Sequence, residues 1–407
     1  MDVDAGHPTR LHRKTSFQMV PLLPEIWQAI FENETLIRDG FSNIRLTCKT
    51  FAALAQPIAF RYFHLNPGFV QHNSPTMQDG IARNMARLGF WATDEIACHV
   101  REIRVHRLVE RGWGVQKGDR DPVLDNFFRV LPRFTNAQKL SCHTILFEDF
   151  ALDQLYRLKN LRTLDLYESS VKGVIPARAQ ALRLRSLTIV DEIQDYSQER
   201  DKTSVEWLLF IHPDHIQHVD LTFWDPEVAK DFLRFSMTTD TAQYVTDMSI
   251  PHSDALVRLL ISALSCSQPC RLRKLAFEQA YDALNGPAPS VSVPSLHTYR
   301  GPHQSLLPFL PGEAIHDLSL GVAPEWIGFA DPATLADTLR HLPNSIANVK
   351  NLSLSLTRMT RDVLEIVCSR CVSLQNFSCR ICQTFDLSNI DMAHDVRLAA
   401  FRRVCDV

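Results

Sequence analysis

Residues 161–166 read Leu161-Arg162-Thr163-Leu164-Asp165-Leu166: apolar, two polar, apolar, one residue, apolar. The same order recurs as VREIRV at 100, AQKLSC at 137, LRSLTI at 184, IQHVDL at 216 and VTDMSI at 245. It continues as LRKLAF at 272, LHTYRG at 296, IHDLSL at 315, VKNLSL at 349 and LQNFSC at 374. The two intervening positions are polar in all eleven copies. Alternation over the last positions is the period of a β-strand, so Leu164 and Leu166 face a core while Thr163, Asp165 and Tyr167 face out.

One short strand cannot bury its own inner face. Stacked parallel, with helices behind, such strands share one continuous core. Parallel strands need crossovers. Three candidate crossover helices open on Asp-Pro, at Asp121-Pro122, Asp225-Pro226 and Asp331-Pro332. Asp accepts hydrogen bonds from free N–H groups at a helix start, and Pro is tolerated at the next position. Leu131-Pro132 and Leu342-Pro343 then precede Lys-Leu-Ser and Lys-Asn-Leu-Ser, so one helix–loop–strand unit is used twice. The central apolar residues, from Ile103 through Leu140 and Leu164 to Phe377, lie 19 to 37 residues apart, and six of the ten intervals fall between 23 and 29. Segments 191–203 and 284–295 read as inserted loops.

These repeats resemble irregular leucine-rich repeats. Most copies lack that family's asparagine after the strand, which implies a loosely curved arc rather than a regular horseshoe. The expected fold is α/β: a small N-terminal three-helix unit followed by a solenoid with parallel strands on its concave side and helices outside. The expected boundaries are a tail at 1–20, the helical unit at 21–65, a linker and helix at 66–99, the array at 100–385 and a cap or tail at 386–407.

The helical unit carries Pro24 at a helix start, then Ile26, Trp27, Ile30 and Phe31 at helical spacing. A second pattern holds Phe41, Ile44, Cys48, Phe51 and Leu54, which Pro57 is expected to end. About 45 residues cannot bury enough surface to be stable alone, so the apolar faces call for a partner. The segment resembles an F-box through Leu23, Pro24, Glu25, Ile26, Ile30, Phe31, Arg45, Leu46, Cys48, Lys49 and Phe51, with FRYFHL as its end. Where that family has a double leucine, this chain reads Asp39-Gly40-Phe41. The resemblance implies docking on a Skp-type adaptor, and through it a cullin. The contact would be formed by Leu23, Pro24, Ile26, Trp27, Ile30, Phe31, Ile44, Leu46, Cys48 and Phe51. It further implies a substrate-recognition subunit of a ubiquitin ligase. The alternative is a scaffold without ubiquitin transfer.

The 407 residues carry a net charge of −3, with 45% hydrophobic and 22% charged residues, so neither nucleic acid nor a membrane is an expected partner. No apolar run reaches the roughly 18–20 residues of a membrane span, and the N-terminus lacks the apolar core of a secretory signal. A cytoplasmic or nuclear location follows, with ten cysteines expected as reduced thiols.

Cys368, Cys371, Cys379 and Cys382 form two Cys-x-x-Cys pairs, the donor set of a tetrahedral zinc site. Cys371 and Cys379 also occupy repeat slots, and that reading is preferred, so no metal or other cofactor is expected. His212, His215 and His218 straddle Pro213 and would spread over different faces. No nucleophile elbow, metalloprotease pair or phosphate loop occurs, and no residue is proposed as catalytic. The expected substrate-binding residues are Asp165, Tyr167, Asp220, Thr222, Trp224 and Glu278, at or just after strands, for a protein substrate of unspecified identity.

Overall fold

A computed structural model describes residues 49–67, 75–107, 121–174, 181–191, 207–223, 229–234, 243–266, 270–280, 289–311, 315–321, 330–342 and 344–381. The chain divides into two units, Met1–Arg61 and Tyr62–Val407. In the first, the helix Lys49–Ala59 runs through Pro57, and the N–H of Phe60 still reaches the Gln56 carbonyl. Pro57 therefore does not end the helix as expected: it sits in the last turn. The other residues of the F-box resemblance up to Cys48 lie outside the described residues.

The second unit begins with strands β1 (Tyr62–Leu65), β2 (Glu102–His106), β3 (Lys139–His143), β4 (Leu146–Phe147) and β5 (Thr163–Tyr167). Then come β6 (Ser170–Val171), β7 (Ser186–Asp191), β8 (His218–Phe223), β9 (Asp247–His252) and β10 (Lys274–Ala280). The last are β11 (Val291–Val293), β12 (Thr298–Gly301), β13 (Phe309–Pro311), β14 (Asp317–Leu320), β15 (Asn351–Leu356) and β16 (Asn376–Ile381). Twelve of them form one sheet in the order β1-β2-β3-β5-β7-β8-β9-β10-β12-β14-β15-β16. Every pairing is parallel. All eleven sequence copies are strands of this sheet, and the twelfth strand is β1. The sequence assigned Tyr62–Leu65 to the end of the helical unit; its pairing with β2 makes it the first rung of the array.

Register follows the pattern. Ile103 pairs with Leu140, Leu140 with Leu164 and Leu164 with Leu187. The row continues through Val219, Met248, Leu275, Tyr299, Leu318 and Leu352 to Phe377. Each of these central residues is buried. A slip of one residue would turn every one of them to solvent. A second device pins the stack. The carbonyl of Arg101 accepts the N–H groups of both Gln138 (2.7 Å) and Lys139 (3.1 Å). The carbonyls of Gln138, Arg162, Arg185, Gln217, Thr246, Arg273, His297, His316 and Lys350 each do the same to the next unit. These are the first residues of the polar pairs seen in the sequence. Each lies at the start of its strand, where the chain turns into the sheet.

Crossover length varies, which explains the uneven spacing. Helices Pro122–Val130 and Pro332–His341 lie in the two longest crossovers between sequence copies, and Asp254–Cys266 in the one between β9 and β10. Between Tyr299 and Leu318, the shortest interval, lie a short 3-10 turn, His303–Ser305, and β13. Where a leucine-rich repeat carries its asparagine, the unit at 161 carries Ser169. The Ser169 hydroxyl accepts from the Ile145 N–H (3.1 Å) and donates to the Cys142 carbonyl (3.1 Å), bridging adjacent units. Segment 284–295 is not all loop: Val291 and Val293 are buried and pair as β11 with β13, because their alternation with exposed Ser292 gives a strand period. Among the described residues no helix is long and apolar enough to cross a membrane.

Candidate recognition surface

The residues flanking each buried central residue point to the other face of the sheet. In register, one row reads His64, Arg104, Ser141, Asp165, Thr188, Asp220 and Ser249. A second row, one pleat further, reads His106, His143, Tyr167, Val190 and Thr222. The face is polar because the buried face already takes the apolar residues of each strand.

Four of the six residues expected to bind substrate lie together here, on β5 and β8. Asp165 and Asp220 share a row with Thr188 between them, and Tyr167 and Thr222 share the next with Val190 between them. The Thr222 hydroxyl donates to Asp220 Oδ1 at 3.5 Å. Asp165 is the most enclosed: its side chain is 8% exposed, and Oδ2 takes the Lys139 ammonium at 2.7 Å and the Ser141 hydroxyl at 2.9 Å. Its carboxylate is therefore occupied within the face. Glu278 belongs to β10, and the described residues stop short of Trp224.

The sequence reading missed the neighbours of this group. His143 stacks on Tyr167 with ring centroids 4.2 Å apart and planes 5° apart, and His106 follows at 4.6 Å. Burial, then the neighbouring His106 ring and the Arg104 guanidinium, lower the His143 pKa to about 4, so its ring is neutral at physiological pH. Burial, then the Asp165 carboxylate, raise that of Tyr167. Arg104 is exposed and makes no side-chain hydrogen bond or ion pair among the described residues. The signal was present: VREIRVH puts Arg104 and His106 in the slots that LRTLDLY gives to Asp165 and Tyr167.

The other candidate chemistry separates in space or has another use. Burial raises the pKa of Cys371 and of Cys379 to about 11, so both are thiols packed in the core, and Cys368 is exposed. Cys382 lies outside the described residues. His212 and His215 lie ring to ring at 5.0 Å at a 3-10 turn, whereas His218 pairs with Asp247 on the sheet. Among the described residues no three His, Cys, Asp or Glu side chains converge as a metal-ligand set.

No known family profile matches the chain, and no curated protein matches it. Among solved structures it is similar to an internalin (inlF) from Listeria monocytogenes. The identity is 10%, 88% of each chain is covered and the TM-score is 0.32.

Proposed function

We propose that this chain is a non-catalytic substrate-recognition subunit of a Skp–cullin–F-box ubiquitin ligase. The segment at 21–61 docks on a Skp-type adaptor and through it a cullin, while the open face of the sheet holds a protein substrate. The observation that carries the recognition half is the register of the array. Polar and aromatic side chains from β5, β7 and β8 fall into adjacent rows on one face. The adaptor half rests on the motif residues Leu23, Pro24, Glu25 and Ile26 with the later Arg45, Cys48 and Lys49. Such a subunit performs no chemistry itself. It holds a substrate lysine near a charged conjugating enzyme and raises the effective concentration of the two reactants.

The test is co-purification of a Skp-type adaptor with the full chain. Leu23→Ala combined with Pro24→Ala abolishes it while the array keeps its circular dichroism and melting behaviour. Undiminished co-purification would refute the adaptor contact. Adaptor binding with no ubiquitin transfer to a bound protein in a reconstituted ligase leaves the chain a scaffold.

A further inference from the structure

The last four strands of the sheet carry a feature the rest of the open face lacks. Where β2 to β5 bear histidine, arginine and tyrosine, β14, β15 and β16 bear Ser319, Ser353 and Ser378 in one row. Small side chains leave the face recessed, and a depression of about 350 Å³ opens above them. Its wall is a chain of polar side chains. Asn376 Nδ2 donates to Asn351 Oδ1 (2.6 Å), Asn351 Nδ2 donates to Asp317 Oδ1, and the Thr298 hydroxyl donates to Asp317 Oδ2 (3.4 Å). Asp317 is the one carboxylate among the lining residues, and both its oxygens are engaged. The three serine hydroxyls make no side-chain hydrogen bond among the described residues, so each has a proton to give.

Cations lie at and beside the depression, on the same face of the sheet. Arg300 lines it beside Ser319. Lys274 flanks Thr298 on the adjacent strand, and Arg380 follows Ser378 two residues along, on the same face. Lys274 and Arg380 are exposed and have no ion pair among the described residues. A recess with spare hydroxyl donors, cations on its face and a carboxylate whose two oxygens already accept hydrogen bonds is complementary to groups that only accept hydrogen bonds and carry negative charge.

We propose that this depression seats the carboxylate side chains of an acidic polypeptide segment on the partner protein. The proposal rests on the reading of the open face as the capturing surface, and it names what part of that face selects. The serine row supplies short hydroxyl donors to the carboxylates, and the cations supply long-range attraction that salt screens.

The test uses the purified full chain and a short fluorescein-labelled peptide alternating Glu and Gly, followed by fluorescence anisotropy at low and at physiological salt. The expected result is saturable binding that weakens with salt and falls about tenfold or more when every Glu is replaced by Gln. Ser353→Leu fills the recess and Arg380→Glu reverses a charge beside it. Each is expected to weaken binding by about tenfold or more with an unchanged melting temperature, both positions being on the solvent side of the sheet. Equal affinity for the Gln peptide, wild-type binding by both variants, or tighter binding of single-stranded RNA at the same site would each overturn the proposal. Adaptor co-purification depends on Leu23 and Pro24 and is measured separately. A failed peptide test beside a positive adaptor test therefore rejects the acidic occupant alone.

Discussion

Gly321 follows β14 with φ at +76°, and a Cβ placed on it would lie 2.4 Å from the Ser355 carbonyl oxygen. That oxygen belongs to the backbone of the neighbouring strand, so the clash is not relieved by a rotamer change. Gly321→Ala is expected to cost about 2–4 kcal/mol, from left-handed strain plus overlap, read as a lower urea midpoint. Gly301 explains the one copy without an apolar final residue: a Cβ there would meet the Phe277 ring at 2.9 Å and the Tyr299 hydroxyl at 3.2 Å. Two histidines set a pH dependence. Burial lowers the pKa of both His143 and His303 to about 4 from the ordinary 6.5. The unfolded chain therefore binds protons that the folded chain refuses between those values, and stability rises with pH across that window. Their contribution is complete above about pH 6.5, declines as the pH falls towards 4 and is level below. The drop in melting temperature between neutral and mildly acidic buffer should shrink in His143→Gln. His303 is retained in both proteins, so the difference reports on the His143 ring. An unchanged drop would mean that His143 is not held neutral.

At the scale of the element, the Asp-Pro helix starts can be ranked. Asp121 is buried, and its Oδ1 accepts from the N–H groups of Val123 (2.9 Å) and Leu124 (3.3 Å). Asp331 accepts from Thr334 alone at 3.2 Å, in an exposed position. Asp121→Ala should therefore cost about 1–2 kcal/mol and Asp331→Ala less than about 1 kcal/mol, both by denaturant unfolding. Equal costs would mean that the second bond and the burial contribute nothing. These caps were legible in the sequence because a cap is a local device, fixed by residues within three positions of each other. Eleven of the twelve strands of the main sheet were legible for the same reason, whereas β1 was read as the end of the helical unit and β11 as loop. The helix running through Pro57 was not legible, since tertiary context rather than propensity set its end. The surface group of His106, His143, Arg104 and Tyr167 was half legible. Each residue occupies a slot the repeat pattern leaves unconstrained, and their adjacency depends on register between copies 24 to 37 residues apart. The serine recess is hidden for a further reason. A serine in an outward slot says nothing until two more stand beside it, and Ser319 and Ser353 come from copies 34 residues apart.

At the scale of the molecule, each strand of the sheet pairs only with its immediate neighbours, so stability should be close to a sum of unit and nearest-neighbour terms. Damage at one end then stays at that end. Phe63 is the central buried residue of β1 and is 1% exposed. Its ring lies 5.4 Å from that of Phe134, near parallel, and 5.1 Å from Trp91. Phe63→Ala removes both contacts and leaves a cavity, a loss of about 3–5 kcal/mol. In a single cooperative body that loss would lower amide protection in all twelve strands by the same free energy. In a one-dimensional array it lowers protection in β1 and β2, fades over the next strands, and leaves β14 to β16 as they were. Hydrogen–deuterium exchange on the full chain separates the two outcomes peptide by peptide. A uniform loss from Tyr62 to Ile381 would show that the helices behind the sheet couple the units more strongly than strand pairing does. A graded loss would place the serine recess and its neighbours in a region whose order does not depend on the amino-terminal strand.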